Sequence, residues 1–555
     1  MKTHFFNLPL RFATALCLLL LAAGHTAFGA VTFTGDTSND GPTVIVGDTG
    51  EGSLLIDGGS SLLDTNGYVG NQTGSTGTVN VNGGTWTNST SLFIGNIGNG
   101  SLTVTGGIVT ATSGTVGTAF GSNGTVNVSG GNWTNSGALK IGNSGNGRLT
   151  ITGGTVSNTD GTVGSSSDLG TGTVNVSGGT WTNNGTLIIG RAGTGSLTLT
   201  GGTVSNTDGT VGSNGAGTGT VNVSGGNWTN TLDLVIGHTG NGTLNLTGNG
   251  TVSVGGLVSL AKTSGKTGTL NLGNGTTAGT LSAATITGGN GTAVVNINQS
   301  GSYTLGSNMT GSLALNHSGT GTTTLTGANT YAGNTTVSAG TLLLAGGASL
   351  GNGAVAVNGG HFTVNGAVGN GGVTVASGAT LGGNGSISGA VSIASGGTLA
   401  PGNSPGVMST GDLSLAEGSS LAAEITGSGT LAGTDYDQVN VTGTVSLLGN
   451  LTLTLTSYTP TPEQLIFLIN NDLTDTITTG FANVNSGSLS NNTEFNLAGE
   501  RWFISYEADY NGGTGSAFTG GNDVALYAIP EPGTWALLAF SLATIIVLRR
   551  RRARS

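Results

Sequence analysis

Along most of this chain, short runs alternate between apolar and small polar residues, and glycine or asparagine interrupts each run after a few positions. In Gly77-Thr78-Val79-Asn80-Val81-Asn82 the two valines face one side of an extended strand, and Thr78, Asn80 and Asn82 face the other. The pattern predicts an all-β protein. It also repeats. Thr-Val-Asn-Val-Asn-Gly-Gly-Thr-Trp at 78–86 returns with small changes at 125–133, 173–181 and 220–228, which puts Trp86, Trp133, Trp181 and Trp228 at spacings of 47, 48 and 47 residues. Each unit splits in two: Gly77 and Gly100, Gly124 and Gly147, Gly172 and Gly195, and Gly219 and Gly242 are all 23 apart, and Gly52 opens a further unit 25 residues before Gly77.

A unit of 23–25 residues holds two or three short strands with their turns, one coil of a right-handed parallel β-helix. A single coil leaves its valines in water, whereas stacked coils share one continuous core. Taken over residues 52–411, about 15 coils at roughly 4.8 Å each predict a rod of roughly 70 Å. A sandwich of antiparallel hairpins competes, but a constant step in constant register favours the solenoid.

Composition sharpens this picture. The 109 glycines follow no three-residue period, which excludes collagen, and only 8 prolines with 35 % apolar residues disfavours disorder. Charged residues are just 7 %, so material for acid–base chemistry is scarce. The net charge of −11 is unevenly spread: Arg549, Arg550, Arg551, Arg552 and Arg554 cluster at one end, and only six Lys or Arg lie between residues 30 and 528. A body so poor in cations is not expected to bind nucleic acid. Between 65 and 411 the only acids are Asp160, Asp168, Asp208 and Asp233. The single cysteine, Cys17, sits in the apolar N-terminal run, so no disulfide is expected.

Both ends read as targeting segments. Residues 1–29 combine Lys2 and Arg11, an apolar stretch from Phe12 to Ala23, and a small-x-small site at Ala27-Phe28-Gly29, the pattern of a secretory signal peptide. At the other end, Pro530-Glu531-Pro532 precedes an apolar run from Trp535 to Leu548 and then Arg549 to Arg552. That run gives about 21 Å of helix, short of a hydrocarbon core of about 30 Å unless it extends back to Pro532 and the arginines snorkel. It is expected to be a transmembrane helix with the arginines as the stop. Residues 529–555 resemble the PEP-CTERM sorting signal. By that resemblance Pro530, Glu531 and Pro532 are recognition residues, an exosortase-type membrane enzyme is the processing partner, and the setting is a Gram-negative bacterium making extracellular polysaccharide.

A second resemblance lies in the body. Residues 319–344, with Gly327-Ala328-Asn329-Thr330-Tyr331 and Gly340-Thr341-Leu342, are similar to the autotransporter-associated β-strand repeat, and Leu399-Ala400-Pro401-Gly402-Asn403-Ser404-Pro405-Gly406 also recurs in such passengers. The resemblance implies a β-helical passenger of a surface protein. The β-barrel of an autotransporter has no counterpart in the helix and arginines expected at 529–555. The reading divides the chain into a signal peptide (1–29), an N-terminal cap (30–51), a solenoid of double coils (52–318), the autotransporter-type repeat region (319–411), an acidic, aromatic-rich β cap (412–528) and the sorting tail (529–555).

Candidate chemistry is thin. The tryptophans form either an exposed sugar-stacking stripe or a core position. Val109, Val156 and Val204 occupy the matching place in the other half-units, which favours core. Asn80, Thr103, Asn127, Thr150, Asn175, Thr198, Asn222 and Asn245 predict a polar ladder on one flat face, suited to hydrated polysaccharide. Arg148 interrupts the regularity that an ice-binding lattice needs. Asp160 and Asp208, each in Ser-Asn-Thr-Asp-Gly-Thr, are candidate carboxylates for a polysaccharide lyase or hydrolase, but Asp-Gly is also a turn signal. His238, His317 and His361 show no metal-ligand spacing, and no cofactor is expected. The expectation is a non-enzymatic exported rod, structural or adhesive and associated with polysaccharide. A carbohydrate-active β-helix enzyme is the alternative.

Overall fold

The computed structural model describes residues 29–552 except 166–169, 427–430, 457–460, 462, 473–474, 478, 486, 498, 513–514 and 530–533. Nearly all of the signal-peptide segment and all of Pro530, Glu531 and Pro532 lie outside the described residues.

Each coil of the first half folds into three strands, and matching strands of successive coils pair in parallel as three ladders. The first ladder begins with Glu51–Ile56, Thr76–Val81, Asn99–Val104 and Asn123–Val128, with Gly52, Gly77, Gly100 and Gly124 stacked in register. The second carries Thr155–Asn158 and Thr180–Asn183, and the third Gly161–Val163 and Leu187–Ile189. The corner leading out of each ladder takes that ladder's number. The parallel solenoid has about 16 turns. Alternation drives the layout: Val79, Val81, Leu102 and Val104 are fully buried, whereas Thr78 and Asn80 stay half-exposed.

The step is not constant, and the expected 23–25 residues holds only for the first half. Glu51, Thr76, Asn99 and Asn123 follow that spacing, and Asn241 to Thr267 stretches to 26. Beyond Leu315 the partners Leu315–Thr335, Thr335–Val355, Val355–Val373 and Val373–Val391 give steps of 20, 20, 18 and 18. The strands there shrink to two to four residues, such as Ser349–Leu350 and Val355–Val357, so less chain closes a coil.

Two coils, rather than one, form the packing unit. In the second ladder Trp86, Val109, Trp133, Val156, Trp181, Val204 and Trp228 stack in direct register, all at 0 % exposure. In the third ladder Leu92, Gly114, Leu139, Gly161, Leu187 and Gly209 stack likewise. A tryptophan coil therefore carries leucine, and a valine coil carries glycine. The glycine makes room for the neighbouring indole: a Cβ on Gly114 would lie 2.9 Å from Trp133 Cζ2 and 3.0 Å from Leu139 Cδ1. Large and small partners interdigitate between coils, as dense packing requires.

The buried indoles need acceptors. Trp181 Nε1 donates to Asn158 Oδ1 at 2.8 Å and Trp228 Nε1 to Asn206 Oδ1 at 2.7 Å, in each case on the preceding coil. At Trp133 the preceding coil offers Ala111, and its N–H has no partner among the described residues. At the start of the series Trp86 Nε1 donates to Asp64 Oδ2 at 2.8 Å. Burial pushes the Asp64 carboxyl up to about 6, opposed by the Trp86 N–H. The folded chain then holds this proton more tightly than the unfolded one, so stability is lost as pH rises from about 4 through about 6. Asp64→Asn keeps the acceptor and removes the charge. It is expected to stabilise the protein by about 1 kcal/mol at pH 7.5 and to give no gain at pH 4, measured by urea unfolding at both pH values.

Antiparallel strands flank the rod. Val31–Gly35 pairs antiparallel with Glu51–Ile56, and Thr37–Asp40 with Thr43–Val46. The segment 412–528, set apart by composition, opens with further parallel rungs at Leu413–Leu415 and Val445–Leu447. Antiparallel pairing takes over where Leu465–Asn471 meets Asp523–Ala528, followed by Glu500–Ala508 and Glu494–Leu497. A free end of a parallel ladder is an aggregation-prone edge, and these strands cover part of it.

The helix near the C-terminus spans Thr534–Arg552. The transmembrane expectation is corrected: among the described residues no helix is long and apolar enough to cross a membrane. Arg549, Arg550, Arg551 and Arg552 belong to the helix itself, which leaves its apolar part about 22 Å long, well short of a hydrocarbon core.

Candidate functional site

The outer surface of the first ladder is a regular feature of the rod. Asn80, Thr103, Asn127, Thr150, Asn175, Thr198, Asn222 and Asn245 pair one with the next in unbroken register. All eight are half-exposed. Two residues earlier runs a parallel column of Thr78, Ser101, Thr125, Arg148, Thr173, Ser196, Thr220 and Thr243, in which Arg148 is the one charge. From Asn222 onward the first column becomes a head-to-tail amide chain. Asn245 Nδ2 donates to Asn222 Oδ1 at 2.7 Å, Asn271 to Asn245 at 2.7 Å, Asn296 to Asn271 at 2.8 Å and Asn316 to Asn296 at 2.9 Å. Each amide keeps a second N–H and acceptor capacity for an outside partner. The result is a lattice of hydroxyls and amides in which Arg148 is the one charge, set by rungs about 4.8 Å apart.

The candidate carboxylates do different work. Asp160 Oδ1 accepts the Thr186 N–H at 2.9 Å, Asp208 Oδ1 the Asp233 N–H at 3.2 Å, and Asp233 Oδ1 the Leu257 N–H at 2.8 Å. Each fastens its own second corner to the corner of the next coil. Asp412 repeats the device on Thr444 N–H at 2.7 Å. The structure thus spends these side chains on turns, and Asp168 lies outside the described residues. The tryptophans are core. Among the described residues no group of three or more His, Cys, Asp or Glu stands where it could hold a metal ion.

One cluster escaped the sequence reading. Asp437, 2 % exposed, accepts the Gly406 N–H at 2.7 Å and the Glu424 N–H at 2.8 Å, and Glu424 accepts the Ser404 hydroxyl at 2.5 Å. They line a cleft of about 290 Å³ together with Ala400–Asn403 and Thr454. Desolvation pushes Asp437 up to about 6, with the Glu424 charge adding to it. Both Asp437 oxygens are taken up by backbone N–H groups, so it clamps the 402–406 loop. The Leu-Ala-Pro-Gly-Asn-Ser-Pro-Gly motif marked the loop, but its clamp comes from a residue 31 positions past Gly406.

These features define a class: a long parallel β-solenoid whose regular outer face is polar and almost uncharged. Within it, residues 315–344 match the family model of the passenger-associated transport repeat, and that match starts where the coil step shortens. Repeat and solenoid together give an autotransporter-passenger-like chain, consistent with an extracellular or surface location. Among curated proteins none matches it.

Proposed function

We propose that this protein is an exported, non-enzymatic rod of the cell surface or extracellular matrix, structural or adhesive, and associated with polysaccharide. The observation that carries the reading is the almost uncharged Thr/Asn lattice on the first ladder. It offers hydroxyl and amide partners at a fixed spacing over many coils, the chemistry that a hydrated sugar polymer exchanges for water. The passenger-type repeat at 315–344 supports export. The resemblance of residues 529–555 to a PEP-CTERM signal supports sorting by an exosortase-type membrane enzyme, with Pro530, Glu531 and Pro532 as its recognition residues. The use of Asp160 and Asp208 as corner fasteners speaks for a structural rod over a lyase or hydrolase.

The test is co-sedimentation of the full chain with extracellular polysaccharide from the producing cells, with release of reducing ends assayed alongside. Binding without release is expected. Asn175→Arg with Asn222→Arg, both outward on the lattice, is expected to weaken binding about fivefold, the equivalent of about 1 kcal/mol. Shortening of the polymer with new reducing ends would turn the reading toward an enzyme.

A further inference from the structure

Beside the Trp/Val stack of the second ladder runs another buried column, two residues further along each strand. It reads Asp64, Asn88, Ala111, Asn135, Asn158, Asn183, Asn206 and Asn230, and Ala111 alone brings no polar group to it. Asn158 shows what the column does. Its Oδ1 accepts Trp181 Nε1 at 2.8 Å, and its Nδ2 donates to Asn183 Oδ1 at 2.6 Å. Asn206 does the same for Trp228 at 2.7 Å and Asn230 at 2.6 Å. One side chain thus satisfies a donor and an acceptor of the following coil. Both acceptors lie over a glycine: a Cβ on Gly161 would be 2.2 Å from Asn183 Oδ1, and one on Gly209 2.2 Å from Asn230 Oδ1.

Trp133 and Asn135 hold the same pose over Gly114, where a Cβ would be 2.7 Å from Asn135 Oδ1 and 2.9 Å from Trp133 Cζ2. The residue that pairs with Asn135 on the coil before is Ala111, whose methyl neither accepts nor donates. Trp133 Nε1 and Asn135 Oδ1 have no hydrogen-bond partner among the described residues, although Trp133 is 0 % and Asn135 2 % exposed. Asn135 Nδ2 lacks a partner too. Its counterparts on Asn88 and Asn183 turn to the Thr110 and Ser205 carbonyls of the following coil at 3.4 Å, so this nitrogen faces away from Ala111. One unpaired donor and one unpaired acceptor therefore stand together beside Ala111, in the places that Asn158 and Asn206 serve two and four coils further on.

We infer that the core of the rod binds one internal water beside Ala111, which bridges Trp133 Nε1 to Asn135 Oδ1. The chemistry of the two groups selects the guest. A cation would be repelled by the indole N–H and an anion by the amide oxygen, so the guest is neutral and both accepts and donates. Its size is set by the difference between an alanine and an asparagine, one carboxamide, and a water with its share of about 30 Å³ is a close match. The water accepts from the indole and donates to the amide, the two bonds that Asn158 and Asn206 make. A donor and an acceptor left buried without partners are each costly, and one molecule relieves both.

The test is diffraction from crystals of the full chain at a resolution that shows internal waters. Density for one water is expected about 2.7–3.2 Å from both Trp133 Nε1 and Asn135 Oδ1, and its absence would overturn the inference. Two variants read the same site in solution through hydrogen exchange of the Asn132–Asn135 amides. Ala111→Asn supplies both bonds and releases the water, so exchange is expected to slow about fivefold. Ala111→Val uses a residue that the same column accepts at Val254. It displaces the water and supplies neither bond, so exchange is expected to quicken about fivefold. Slower exchange in the valine variant, the result of filling a dry apolar gap, would overturn the water site.

Discussion

Trp181→Ala is expected to cost about 3–5 kcal/mol, the range for removing a fully buried aromatic. The indole sits between Val156 below and Val204 above, and its N–H is satisfied by Asn158. Truncation opens a cavity across three coils and leaves Asn158 Oδ1 short of a donor. A solenoid couples mainly neighbour to neighbour, so the loss should be local. Hydrogen exchange checks this: amides between 155 and 211 should exchange faster, while those between 315 and 391 keep their protection. A uniform rise along the rod, or no rise, would contradict the two-coil packing unit.

The second large effect concerns a glycine that carries no side chain to lose. Gly172 is the second residue of a first-ladder strand, where a Cβ would collide with the Ile141 carbonyl oxygen and the Gly164 amide nitrogen, which are hydrogen-bonded to each other across two successive rungs. Both obstacles are backbone atoms fixed by that hydrogen bond, so neither can swing aside. Gly172→Ala is expected to destabilise by about 3 kcal/mol, the upper part of the usual overpacking range, even though alanine suits a strand better than glycine does. Thermal unfolding followed by circular dichroism reads it. Gly121→Ala is the control: that turn glycine would meet nothing within 4 Å, but its φ of 79° adds a conformational cost of its own, so its loss should be the smaller one.

Much of the first half was legible because tryptophan is rare and conspicuous: four indoles at steps of 47 and 48 betrayed both the period and its doubling. Their burial followed from valine in the alternate positions. The shorter coils beyond Leu315 were hidden, since strands of two or three residues between abundant glycines leave no marker of where a coil closes. Alternation says nothing about strand direction, so the antiparallel pairing of Leu465–Asn471 with Asp523–Ala528 could not be read. For the Thr/Asn columns, register follows directly from the repeat. The Asp437 clamp had no such signal, because it reaches across an irregular coil.

The pairing of tryptophan with leucine and valine with glycine restricts how such a rod changes length. Inserting one coil anywhere between Trp86 and Trp228 would set indole on indole or glycine beside valine, giving a clash on one side and a void on the other. Inserting two restores the sequence of volumes. Lineages of this protein should therefore gain or lose segments of about 47 residues, and their lengths should differ by whole pairs, like a zip that accepts only complete teeth.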